Sequence, residues 1–255
     1  MMKTIALYSM KGGVGKTAAC VNLSYLAAVG GSPTLLCDLD PQGSSTFYFR
    51  IQPKKKYSGR KFLKGGKAVD KAIRGTDFPG LDLLPADLSY RNLDVMLDGF
   101  SKSRYRLRGL LSDFKDRYDT VFLDCPPNIT LVSENVFEAA DVILVPLIPT
   151  TLSLVTYSKL IRFFKDAGLD RRKLYPFISM VEPRKLMHRQ SIREILATRT
   201  RLLKTFIPYN ADIEKMGFYR EPLTHSRPSS IGALAFAKLW SEVSATILRE
   251  PSHES

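Results

Sequence analysis

Cysteine is scarce in these 255 residues: Cys20, Cys37 and Cys125 are an odd number at no metal-ligand spacing. That excludes a disulfide framework and a cysteine-rich metal centre. Their apolar settings fit small buried hydrophobes in a reducing compartment. Histidine is equally sparse, and His188, His225 and His253 are too scattered to build a metal site. No apolar run is long enough to cross a bilayer, because residues 142–155 are broken by Pro146 and Pro149. Residues 1–10 are too short an apolar stretch for a secretory signal, and internal repeats and low-complexity tracts are absent. The expected location is the cytoplasm. Acid is also in deficit: the formal net charge is +13, although 44% apolar and 25% charged residues make an ordinary globule. Such an excess calls for an acidic partner, either nucleic acid or an anionic membrane surface.

Against these absences stands one dense feature, Lys11-Gly12-Gly13-Val14-Gly15-Lys16-Thr17. A β-prone apolar run (residues 4–9) precedes it, and residues 18–29 carry apolar positions at helical spacing. Strand, glycine loop and helix is the context in which such a loop binds phosphate. The three glycines let backbone N–H groups crowd an anion, and the helix beginning near Lys16 aims its dipole at the same place, past Val14 and Ala18. Lys16 is placed to neutralise the β- and γ-phosphates of a nucleoside triphosphate, and Thr17 offers a hydroxyl to Mg²⁺. Asp124, ending the apolar strand 120–124, is the expected partner of the metal's water shell. Asp38 and Asp40 leave a neighbouring strand end two residues apart; Asp38 is expected to support the metal shell and Asp40 to orient the attacking water.

Strand-like and helix-like stretches alternate almost throughout, which predicts an α/β fold with a mainly parallel sheet covered by helices on both faces. Further strands are expected at 34–39, 81–85, 142–146, 175–179 and 203–207. Helices are expected around 91–97, 103–117, 152–166, 188–198 and 230–248. Residues 50–74 differ in composition, with ten basic side chains against the single acid Asp70. They read as a basic loop or insertion followed by a short helix near 67–74, within one domain spanning 1–255. An anion-binding role is expected there.

The glycine loop, Asp38-Leu39-Asp40-Pro41-Gln42-Gly43 and Phe122-Leu123-Asp124-Cys125-Pro126-Pro127 together resemble the ParA/MinD family of deviant Walker ATPases. Ile207-Pro208-Tyr209-Asn210 and Glu221-Pro222-Leu223-Thr224-His225-Ser226-Arg227-Pro228 extend the likeness to nearly the whole chain. The resemblance implies a P-loop NTPase fold and ATP with Mg²⁺ as cofactors. It also implies that Lys11 reaches the partner's phosphates across a homodimer formed with ATP, a cation in trans that offsets the repulsion between two triphosphates. Pro208 and Asn210 would line the adenine site, and Asp40 would be the hydrolytic aspartate. Two departures stand out: Ser44 and Ser45 follow Gly43 where the family often has Asn, and Ser226-Arg227-Pro228 replaces Gly-Lys-Pro.

Within the family the chain is similar to the ParA/Soj branch, without an N-terminal helix-turn-helix domain. Its ending, residues 248–255, is polar rather than a membrane-binding amphipathic helix, so no membrane contact is expected. The branch implies an ATP-bound dimer that binds DNA without sequence preference and releases it on hydrolysis. It would segregate a plasmid or chromosome, or position a protein cargo, with a ParB-like or cargo-adaptor protein stimulating turnover on the nucleoid. Arg184, Lys185, Arg189, Arg193 and Arg220, with Arg199, Arg201 and Lys204, are the expected DNA contacts, and residues 50–74 a further one. Two other readings exist: a nucleotide-locked DNA-coating module with negligible turnover, and an ATP-dependent amide-forming synthetase built on the same loop.

Overall fold

A computed structural model describes residues 1–55, 57–197 and 201–245 of the chain. Among them, eight strands form one sheet: β1 (Lys3–Leu7), β2 (Thr34–Asp38), β3 (Arg74–Gly75), β4 (Leu81–Leu84), β5 (Thr120–Asp124), β6 (Val142–Leu147), β7 (Leu174–Val181) and β8 (Phe206–Pro208). Their order across the sheet is β3-β4-β2-β5-β1-β6-β7-β8. The β3–β4 pair is antiparallel and the other neighbouring pairs are parallel. In chain order the helices are α1 (Lys16–Val29), α2 (Ser44–Tyr48), α3 (Gly59–Lys64), α4 (Lys67–Asp70), α5 (Leu93–Asp98), α6 (Arg106–Ser112), α7 (Leu131–Ala139), α8 (Thr151–Asp166), α9 (Leu186–Ala197), α10 (Ala211–Glu214), α11 (Met216–Tyr219), α12 (Leu223–Ser226) and α13 (Ile231–Val243).

The alternation of side chains along the central strands explains why both faces are covered. Ile5, Leu7, Leu36, Phe122 and Leu144 point into a core shared with α1 and α13. Ala6, Leu35, Val121, Leu123 and Ile143 point the opposite way, into a core shared with α6, α7 and α8. A strand buried on both faces reads as a continuous apolar run, which is why β5 and β6 were legible from composition alone. Cys20, Cys37 and Cys125 are all buried free thiols, as their apolar settings imply.

Several boundaries differ from the sequence expectations. The last strand sits at Phe206–Pro208 because the amides of Lys204 and Thr205 donate to Glu242 of α13 instead of to a ladder. The helix expected over 103–117 is an α-helix only over Arg106–Ser112, yet Leu107, Leu110, Leu111 and Phe114 are buried on one face as expected. The helix α7 was not foreseen; its signal is local, a capping box in which Thr130 and Ser133 exchange side-chain and backbone bonds. In residues 50–74 the short helix expected near 67–74 is present as α4, but the stretch before it, expected to be a loop, holds α3 as well. Tyr57, Phe62, Leu63, Val69 and Ile73 are sunk into the core beneath the lysines. The helix expected to reach residue 248 begins at Ile231, capped by the Ser230 hydroxyl; its expected end and the polar tail lie outside the described residues. Among the described residues, no helix is long and apolar enough to cross a membrane.

Candidate functional site

The carboxyl ends of β1, β5 and β2 lie side by side at the middle of the sheet, where Leu7 pairs with Asp124 and Asp124 with Asp38. The chain leaving β1 is the glycine loop, so the topology alone brings residues 11–17, 38–40 and 124 to one place. Open α/β sheets bind ligands at such a point. Gly13 and Gly15 carry positive φ angles of 69° and 90°. A Cβ added at Gly12 or Gly13 would meet nothing within 4 Å, whereas one on Gly15 would stand 3.1 Å from Ser179 Oγ. The loop is thus a cradle whose walls are backbone. Helix α1 starts from Gly15 without a side-chain cap, unlike α8 and α13, whose first turns are capped by Thr150 and Ser230. The first-turn amides of α1 are therefore left for an anion.

Lys16 is 7% exposed, and its Nζ donates to the Lys11 carbonyl at 3.4 Å. Burial lowers its pKa, while the charges of Asp124 and Asp40 act in the opposite sense. Lys11 is half-buried; its amide donates to Ser9 Oγ at 3.3 Å, and it borders a small crevice with Val14 at the start of α8. Asp124 is buried. Its Oδ2 accepts from Ser45 Oγ at 2.8 Å, and the neighbouring Thr17 side chain acts to lower its pKa against the raising effect of burial. Its Oδ1 has no hydrogen-bond partner among the described residues. An orphaned buried carboxylate oxygen beside a threonine hydroxyl is the donor set that suits a hydrated Mg²⁺. Among the described residues, no three acidic, histidine or cysteine side chains cluster to hold a metal. A cation here would draw most of its ligands from phosphate and water.

Asp38 lies next to Asp124 but directs its oxygens elsewhere. Its Oδ2 accepts from the amide and hydroxyl of Thr46, both at 2.8 Å, and its Oδ1 accepts from the Asp40 amide at 3.3 Å. It thereby pins the loop that carries Asp40. Burial, and then the neighbouring Asp124, raise its pKa; burial also raises that of Asp124. Asp40 is half-exposed, with Oδ1 accepting from the Gln42 amide at 2.9 Å. The serines noted as departures have a structural part: Ser45 holds Asp124, and Thr46 behind it holds Asp38.

Pro208 and Asn210 line one cleft with Gly15, Ala18, Ser179 and Ile213. The two ends of the sequence expectation for the nucleotide thus meet. Asn210 Oδ1 caps α10 by accepting from the Asp212 amide at 2.8 Å. Met180 in the same cleft has a φ of 56° and lies within the register shift between β7 and β8. Neither Ser179 nor Met180 was foreseen, and a strand end without a motif offers no sequence signal for them.

The basic residues divide. Arg184, Lys185, Arg189 and Arg193 are exposed on α9 and the turn before it. Lys185 pairs with Glu182 at 2.5 Å, and Arg189 Nε donates to the Pro183 carbonyl at 2.8 Å. Arg220 stands apart from them against α2: its Nε donates to the Phe47 carbonyl at 3.0 Å, and its guanidinium lies 4.4 Å from the Phe47 ring centroid. Arg201 donates to Tyr175 Oη at 2.6 Å, and the Lys204 amide binds Glu242. Arg199 falls outside the described residues.

A family model described as an AAA domain matches residues 2–174. The sporulation initiation inhibitor protein Soj of Bacillus subtilis is 30% identical over 251 residues, covering 96% of this chain and 99% of its own. Among solved structures, a putative plasmid partition protein from Borrelia burgdorferi bound to AMPPNP superposes with a TM-score of 0.84 at 22% identity, covering 97% of this chain and 100% of that one. Cobyrinic acid a,c-diamide synthase from Mycobacterium smegmatis, with ADP and magnesium, reaches a TM-score of 0.81 at 24% identity, with full coverage of both chains. At these identities the two structures establish the fold alone.

Proposed function

Because the chain belongs to the ParA/Soj family of AAA-domain proteins, we propose that it is an ATP-dependent partition or positioning ATPase. Its ATP-bound dimer binds DNA without sequence preference, and hydrolysis releases it. The observation that carries the nucleotide half of this reading is the convergence on one point of Lys16, Thr17, Asp40 and a buried Asp124 oxygen without a partner.

The chemistry assigns each side chain a task. The glycine loop and the open amides of α1 hold the phosphate oxygens, and Lys16 neutralises them. Its burial matters here, because a desolvated ammonium interacts with an anion more strongly than one in water. Thr17 and the unpartnered, buried oxygen of Asp124 would hold Mg²⁺, which supplies further charge neutralisation when bound. Asp40 orients water, while Asp38, through Thr46 and the Asp40 amide, fixes where Asp40 sits. Pro208 and Asn210 border the base. Lys11 acts on the partner's nucleotide, so closure over two triphosphates requires both subunits. A ParB-like or cargo-adaptor protein would accelerate turnover, and the exposed basic residues of α9 would contact DNA phosphates.

Sedimentation with a non-hydrolysable ATP analogue and Mg²⁺ tests this. The wild type should dimerise, Lys16→Ala should fail to bind nucleotide, and Lys11→Ala should bind nucleotide yet remain monomeric. Normal dimerisation of Lys11→Ala would sink the trans assignment. Turnover is tested separately: steady-state hydrolysis no faster than that of Asp40→Ala, with DNA present, would favour a DNA-coating module over an ATPase.

A further inference from the structure

The lysines between residues 54 and 71 surround a hollow. Lys54, Lys61, Lys67 and Lys71 line an open cavity of about 390 Å³, with Tyr57 and Ala68 in its wall. The scaffold beneath them is fixed. Tyr57, Phe62, Leu63 and Val69 are core residues, the Gly59 amide donates to Ser89 Oγ at 2.7 Å, and Arg106 clamps the end of α3 by donating to the carbonyls of Leu63 and Lys64 at 2.6 and 3.0 Å. Two acids of the same stretch of chain are already committed. Asp77 pairs with Arg50 at 2.7 Å, and Asp70 with Arg117 at 2.8 Å. Among the described residues, no carboxylate pairs with Lys54, Lys67 or Lys71. Lys67 and Lys71 are four residues apart on one helical turn and so share a face. Gathering like charges on a rigid support raises the local potential and attracts anions.

We propose that this hollow is a phosphate-binding site separate from the glycine loop, and that its occupant is the sugar–phosphate backbone of duplex DNA. The inference rests on the DNA-binding reading above and adds a second contact region to α9. Three features favour a nucleic-acid backbone over a free oligophosphate. The hollow is open rather than enclosing. Its cations are lysines, point charges that accept a phosphate in any orientation and carry no base preference. The exposed Lys55, Arg60 and Lys64 continue the charge beyond the hollow, as a row of phosphates requires. The segment also follows directly from Asp40 and α2 in the chain, so a contact here adjoins the loop that carries the hydrolytic candidate.

The test uses the full-length protein with a non-hydrolysable ATP analogue, Mg²⁺ and a duplex of arbitrary sequence, titrated across salt concentrations. Each phosphate contact contributes about 0.9 to the slope of log affinity against log salt, so Lys54→Gln/Lys67→Gln/Lys71→Gln should lower that slope by about two to three. Nucleotide binding and ATP-dependent dimerisation should be unchanged, which shows that the variant is folded. Duplex should also protect these lysines from acetylation in the wild type. A wild-type slope in the triple variant, with Arg189→Gln/Arg193→Gln lowering it, overturns this inference and leaves the partition reading intact. Failure of the wild type to bind any duplex sinks both. Protection by inorganic tripolyphosphate but not by duplex would make the hollow a small-anion site and overturn the proposal.

Discussion

Gly15 holds a φ of 90° and would bring an added Cβ within 3.1 Å of Ser179 Oγ. Gly15→Ala is therefore expected to cost about 1–3 kcal/mol of backbone strain and to weaken nucleotide binding, read by a urea melt and by titration of a fluorescent ATP analogue. Asn22 carries a different load: fully buried in α1, it donates to the Ala18 carbonyl and accepts from both the amide and hydroxyl of Thr224 at 2.9 and 3.0 Å. Asn22→Ala leaves the buried Thr224 donors without a partner and should destabilise the fold by about 2–3 kcal/mol. Asp38 and Asp124 set a pH dependence. Both are raised above the ordinary carboxylate range, chiefly by burial. A raised folded value means that the contributed stability is fully present below about pH 4 and is lost as pH rises through the folded values. The nucleotide-free protein should thus melt at a lower temperature at pH 8 than at pH 5.5, and Asp38→Asn should flatten that fall. Equal melting temperatures at the two pH values in the wild type would show that neither carboxylate is raised in the folded protein. The acids were legible as residues, but the direction of the Asp38 oxygens was not, because it depends on Thr46 arriving from the next helix.

At the scale of elements, the strands gave the clearest sequence signal and the short helices the poorest. β5 matches its expected bounds because a doubly buried strand needs an unbroken apolar run ending where polar chemistry begins. The pieces between residues 211 and 226 are single turns held by tertiary contacts, such as Arg227 with Asp212 at 2.9 Å, and no periodicity can mark so short a helix. The start of the last strand depends on Glu242, whose carboxylate receives the Lys204 amide, the Thr205 amide and the Thr205 hydroxyl. Glu242→Ala should detach that stretch from α13. Hydrogen exchange at residues 204 and 205 should accelerate by at least about tenfold, corresponding to about 1.4 kcal/mol or more of lost protection. Exchange at the wild-type rate would show that the Glu242 carboxylate does not hold this stretch.

For the whole molecule, charge and fold separate cleanly. The excess of +13 says nothing about topology, yet it sets how the protein meets a polyanion. ATP-loaded wild type should bind duplex of any sequence and lose on the order of a thousandfold in affinity between about 50 and 200 mM salt; sequence-selective, salt-insensitive binding would contradict that. The residues alone determined the glycine loop, the alternation of strand and helix, and the acids at the strand ends, since these follow from local steric freedom and from apolar runs too short for anything but buried strands. Only the tertiary structure decided which Asp124 oxygen is left without a partner, that Arg220 stacks on Phe47 away from α9, and that the basic stretch is a rigid shelf over a core. Each of these depends on groups far apart in the chain arriving at hydrogen-bonding distance, and a linear order of side chains does not encode distance.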